Sequence, residues 1–154
     1  MILLVYSLII LLVQTVVLPR WAFLGAAPDL ILVSVIILSI LPAKQKKLYY
    51  AAAMGFFQDI LLNGAYLNTI TKVSVSIIID TFKDNFIGNE YRSSMLLVLA
   101  FTPLVLIAEA AALFFVFDKQ IGLFYLIKTI ILTTAYNALL AAVLFPVLQK
   151  ISHE

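Results

Sequence analysis

Apolar residues in this chain fall in long, nearly unbroken runs, and short polar or proline-containing breaks separate them. Runs of this kind read as membrane spans rather than as one face of a soluble helix or strand. Six helices are predicted. The first covers residues 2–18 and stops at Pro19. The second covers 28–41, with Pro28 at the first helical position and Pro42 just beyond the end. The third covers 48–62 and stops at Asn63-Gly64, where Gly64 suits a sharp hairpin turn. The fourth covers 66–82, the fifth 94–117 and the sixth 122–149, with Pro146 placed to bend its end. A span needs about 20 residues, so the second and third are short for a bilayer.

Composition strengthens this picture. Of the 154 residues 64% are hydrophobic and only 12% charged, and the mean hydropathy is +1.14. A soluble domain carries about twice that share of charge. No polar segment is long enough for a separate soluble domain, so the fold class expected is an all-α six-helix membrane bundle in one domain, residues 1–154. The chain has no cysteine, which removes disulfides, thiolate metal sites and a cysteine nucleophile. The first run lacks a basic leader and exceeds a signal-peptide core, so it reads as a retained helix.

Charge placement sets an orientation. With the N-terminus in the cytoplasm, the inner segments hold Lys44, Lys46, Lys47, Lys83, Arg92 and Lys150, and the outer ones only Arg20 and Lys119. That asymmetry follows the positive-inside rule and places both termini in the cytoplasm. The basic stretch after the second helix can also meet anionic lipid. The formal charge of +2 gives no reason to expect nucleic acid.

Asp29, Asp59, Lys72, Asp80, Glu109 and Lys128 lie inside predicted spans, where each needs a partner or a wet cavity. Asp59 and Lys72 flank the hairpin of the third and fourth helices at similar depth, and Glu109 and Lys128 flank the next hairpin in the same way. Both are expected to form interhelical ion pairs. Gln58 and Asn68 lie beside the first of these pairs. Thr69, Lys72, Ser76, Asp80 and Lys83 form a polar stripe on the fourth helix, suited to helix–helix contact or a small-solute path. Asp29 complements the dipole in the first turn of the second helix. Gly55 with Ala51, and the alanines of the fifth and sixth helices, permit close packing.

Catalytic patterns are missing. The one histidine, His153, lies in the terminal tail. No metal-ligand spacing, phosphate-binding glycine loop or nucleophile elbow occurs, so neither enzyme activity nor a cofactor is expected.

Three stretches resemble the bacterial rod-shape-determining membrane protein family MreD. PDLILVSVIILSILP, residues 28–42, is similar to its proline-opened second helix. MGFFQDILLNGAYLN, residues 54–68, resembles its most recognisable segment, with Gly55, then Asp59 four residues on, then a turn at Gly64. NALLAAVLFPVLQK, residues 137–150, resembles its last helix, with Asn137, Pro146 and a basic end. The chain departs from the family at Leu67, where a second turn glycine is common, and at Lys72, which is unusually polar for that helix. The resemblance implies a non-catalytic, multi-pass protein of the bacterial inner membrane, acting in lateral wall synthesis and cell shape. Its implied partners are an MreC-like bitopic scaffold, an MreB-like filament, a SEDS-type glycosyltransferase with its transpeptidase, and membrane lipid. The family's fold is similar to the substrate-binding subunits of energy-coupling-factor vitamin transporters. Such a subunit is therefore the alternative reading, and a holin-like pore a third.

Overall fold

A computed structural model describes residues 2–22, 24–41, 46–62, 65–83 and 89–152. Gly64 and His153 lie outside the described residues. Helix α1, Ile2–Leu12, runs into a π-helical segment, Val13–Val17, and a 3-10 turn, Leu18–Trp21, that carries Pro19. There follow α2, Leu30–Ile40; α3, Lys46–Leu62; α4, Leu67–Phe82; α5, Glu90–Phe117; and α6, Leu123–Ser152. No strand occurs among the described residues. Among the described residues, three stretches are long and apolar enough to cross a membrane: Ile2–Arg20, Glu90–Phe117 and Leu123–Ser152.

Helix α2 is the axis of the bundle. At 11 residues it is only about 16 Å long, half a bilayer core. Ten consecutive residues, Leu30 to Ser39, are buried. A helix apolar on every side belongs inside other helices, and α2 packs against each of the other five. Its two serines fit this setting because each returns its hydroxyl proton to the preceding turn, Ser34 to Leu30 O and Ser39 to Val35 O, both at 2.7 Å. Each hydroxyl also makes a cross-link, Ser34 to the Tyr6 hydroxyl at 2.7 Å and Ser39 to Ser76 at 3.1 Å.

These contacts fix the helix directions. Tyr6 meets Ser34 while Gln14 meets Leu30, so α1 runs antiparallel to α2. Lys72 meets Asp29 while Ser76 meets Ser39, so α4 runs parallel to α2. Thr133 meets Ala27 while Asn137 meets Asp29, so α6 is parallel as well. Asp59, near the end of α3, meets the start of α4, and Tyr91, near the start of α5, stacks edge-on with Phe145 near the end of α6. The chain therefore passes up and down the bundle in strict alternation.

Several boundaries differ from the sequence pattern. Pro28 does not open α2: Asp29 is its N-cap, with φ −108° and ψ 89°, and Pro28 precedes the cap. The helix ends at Ile40 because Leu41 is extended (ψ 149°), the state imposed on a residue before proline. Helix α5 begins at Glu90 rather than 94, since the Asn89 side chain accepts from Tyr91 N–H at 2.9 Å and caps it. Helix α6 continues through Pro146 to Ser152 instead of stopping at 149.

Candidate functional site

The connection to α2 is irregular from Leu24 to Asp29, and Ala26 within it is buried. Irregular backbone inside a bundle needs a partner for each polar group. Side chains of neighbouring helices supply them. Gly25 O accepts from the Tyr125 hydroxyl at 3.4 Å, Ala27 O from Thr133 at 3.3 Å, and Pro28 O from Gln14 Nε2 at 3.2 Å. The N–H groups that open α2 are met in the same manner. Asp29 N–H donates to Asn137 Oδ1 at 2.8 Å, Leu30 N–H to Gln14 Oε1 at 2.7 Å, and Leu32 N–H to Asp29 Oδ1 at 2.9 Å. Asn137 spends its amide nitrogen on Thr102 of α5 at 3.2 Å. The N-terminus of α2 is thus a junction held from α1, α5 and α6.

Helix α4 reaches the same junction. Lys72 has no solvent-exposed surface, and its ammonium donates to Asp29 Oδ2 at 3.0 Å and to Asn68 Oδ1 at 2.9 Å. Asn68 in turn donates Nδ2–H to Asp59 Oδ1 at 3.0 Å. A continuous chain runs from Asp59 through Asn68 and Lys72 to Asp29, so side chains from the π-helical segment, the α2 cap and helices α3 to α6 join one lattice. Isolating a cation from water is costly unless it is paired and hydrogen-bonded, and here it is both.

The predicted direct pair of Asp59 with Lys72 does not form; Lys72 pairs with Asp29. Asp59 has another task. Its Oδ1 also accepts from Asn68 N–H at 3.0 Å, and its Oδ2 from Thr69 N–H at 2.7 Å and Thr69 Oγ1–H at 2.6 Å. These are the orphan donors of the first turn of α4. The α4 N-cap itself, Tyr66, is left-handed with φ 64° and offers no side-chain cap, so Asp59 caps α4 from the neighbouring helix. Gly55, one turn earlier on the same face of α3, lets α4 come within reach. A Cβ at Gly55 would lie 2.7 Å from Thr69 Cα and 2.9 Å from Asn68 O. The spacing of Gly55 and Asp59 is a docking device for the start of α4.

Glu109 and Lys128 form no ion pair either. Matched depth is not enough: Glu109 faces α4, where it meets Thr71 Oγ1 at 3.4 Å, rather than α6. Gln58 is buried beside Asp59, and its Oε1 has no partner among the described residues. Pro146 lies at the opposite end of the bundle, where it lines a cavity of about 650 Å³ with Asn89 and Tyr91. There Lys47 binds Asp80 and donates to Ser39 O at 3.3 Å, which sets a cation at the C-terminal end of α2. Lys83 holds Asp80 from the next turn of α4 at 2.8 Å.

Gln14, Thr102 and Thr133 belong to the lattice and carry no motif. Their signal was polarity within apolar runs, where such groups need an internal partner. The chain matches no family model, no curated protein and no solved structure.

Proposed function

We propose that this protein is a non-catalytic, six-span scaffold of the bacterial inner membrane, of the MreD type, that supports lateral cell-wall synthesis. One observation carries the reading. The three separate stretches that resemble MreD contribute Asp29, then Gly55, Asp59 and Asn68, then Asn137, and these residues meet in one lattice. A sequence pattern shared for a structural purpose should converge in this way.

The chemistry of the lattice agrees. Asp59 accepts four hydrogen bonds, Lys72 is paired and hydrogen-bonded, and both ends of the Asn137 amide are engaged. These groups are consumed in holding helices together. In lipid, apolar contact alone gives little preference for one helix arrangement, because acyl chains are as apolar as leucine. Polar junctions and close small-residue contacts then set the geometry. The alternating helix directions and the lysine and arginine bias support a reading with six crossings and both termini in the cytoplasm. On this reading α2 starts near the outer leaflet, and the lattice makes the bundle a fixed surface for the membrane helix of a bitopic MreC-like partner. Affinity purification of the tagged protein from its native membrane tests this: such a partner and the wall-synthesis enzymes should co-purify.

A further inference from the structure

Between the α3–α4 hairpin and α5 lies a cavity of about 320 Å³. Leu62, Leu113 and Phe117 give it apolar walls, and its polar lining is Asn68, Glu109 and Lys119. Glu109 is poorly served within the chain. Among the described residues its one hydrogen bond is the 3.4 Å contact with Thr71, whose hydroxyl proton is better placed toward Leu67 O at 2.8 Å. The Lys72 ammonium is bonded to Asp29 and Asn68 and makes no ion pair with Glu109. The ammonium is thus committed to Asp29, Asp59 is served by Asn68 and Thr69, and Glu109 has no ion pair among the described residues. A carboxylate about 12 Å inside the end of its helix calls for a cation of its own.

Lys119 stands on the same cavity with the opposite charge. Its backbone is fixed: Asp118 turns left-handed with φ 51°, and Lys119 N–H closes the helix end on Leu113 O at 3.0 Å. The Lys119 ammonium has no ion pair among the described residues, and Glu109 lies too far away to provide one. One cavity therefore presents an underused anion and an underused cation, held apart. Asn68 adds one free amide hydrogen and one free lone pair, since its other positions bind Asp59 and Lys72.

We propose that this cavity binds a zwitterionic group, with a primary ammonium on Glu109 and a phosphate or carboxylate on Lys119. The group has two possible sources, the headgroup of an aminophospholipid such as phosphatidylethanolamine, or a free solute of the same chemistry. The site rests on the membrane setting and not on the scaffold role, so it can fail while that role stands.

The test uses full-length protein in detergent. Native mass spectrometry is run after exchange into phosphatidylethanolamine or phosphatidylcholine, and calorimetry is run with O-phosphoethanolamine. Phosphatidylcholine has a quaternary ammonium with no N–H to donate, so only phosphatidylethanolamine should remain bound. Glu109→Gln and Lys119→Gln should each weaken retention about tenfold or more, the loss of one charge-assisted contact. Lys119 is exposed, so its variant remains informative even where Glu109→Gln misfolds. Binding of O-phosphoethanolamine without lipid retention, lost in the same variants, would assign the site to a free zwitterion. Equal retention of the two lipids without O-phosphoethanolamine binding, no binding of any probe, or binding unchanged in Lys119→Gln would overturn the assignment.

Discussion

Lys72 is the residue on which the lattice turns. It joins α4 to α2 through Asp29 and is fully buried. Removing one member of a buried pair leaves the other charged and unmatched, at a cost of about 3 kcal/mol or more. Lys72→Met is expected to lower the thermal midpoint in detergent, followed by helical circular dichroism. The double variant Asp29→Asn/Lys72→Met should be less damaged than Lys72→Met alone. Asparagine keeps an oxygen for Leu32 N–H while removing the stranded charge. Equal damage in the single and double variants would show that the pair is not the coupling element.

Which residues carry this chemistry was partly legible from type alone. Asp29, Asp59, Asn68, Lys72 and Asn137 stand out in an apolar chain because a charge or amide in a span demands a partner. Partner choice was not legible. Depth along a helix follows from counting residues, but the direction a side chain faces depends on packing. Asp59 and Lys72 share a depth, yet Asp59 turns to the donors of α4 and Lys72 turns to α2. Gln14 and Asn137 were visible as polar residues, but their task was hidden. The backbone groups they serve become orphans only once the connection before α2 is known to be irregular.

At the scale of elements, the α3–α4 hairpin gives the sharpest test. Alanine is a better helix former than glycine by about 1 kcal/mol, so Gly55→Ala would stabilise an isolated α3. In the bundle its methyl would press on the Thr69 backbone, which a side-chain rotation cannot relieve. Gly55→Ala should therefore lower the thermal midpoint despite the gain in propensity, and Gly55→Val should lower it further. An unchanged or raised midpoint for Gly55→Ala would mean that α3 and α4 are not docked this closely. The elements themselves were readable because proline and long apolar runs mark them. The sequence pattern misplaced the ends where a polar side chain, rather than a change in hydropathy, sets the boundary. Asn89 starts α5 four residues before the apolar run, and Asp29 starts α2 after Pro28.

For the whole molecule, the proposed six-crossing topology can be labelled directly. The chain has no cysteine, so single cysteines report position without background. Gln120→Cys, between α5 and α6, should react with a membrane-impermeant maleimide in intact cells or spheroplasts. Ser93→Cys and Ser152→Cys should react only after the membrane is opened. The reverse pattern would invert the bundle, and Gln120 and Ser93 reacting from the same side would break the six-crossing alternation.

The proposed scaffold role makes the strongest demand on the whole molecule, because it requires a partner. Affinity purification from the native membrane in mild detergent, read by quantitative mass spectrometry, tests it most directly. The account predicts enrichment of a bitopic MreC-like protein together with a SEDS-type glycosyltransferase and its transpeptidase, reduced when Lys72→Met loosens the lattice. Recovery instead of a membrane coupling subunit with two ATPases would contradict it and make the protein a transporter subunit.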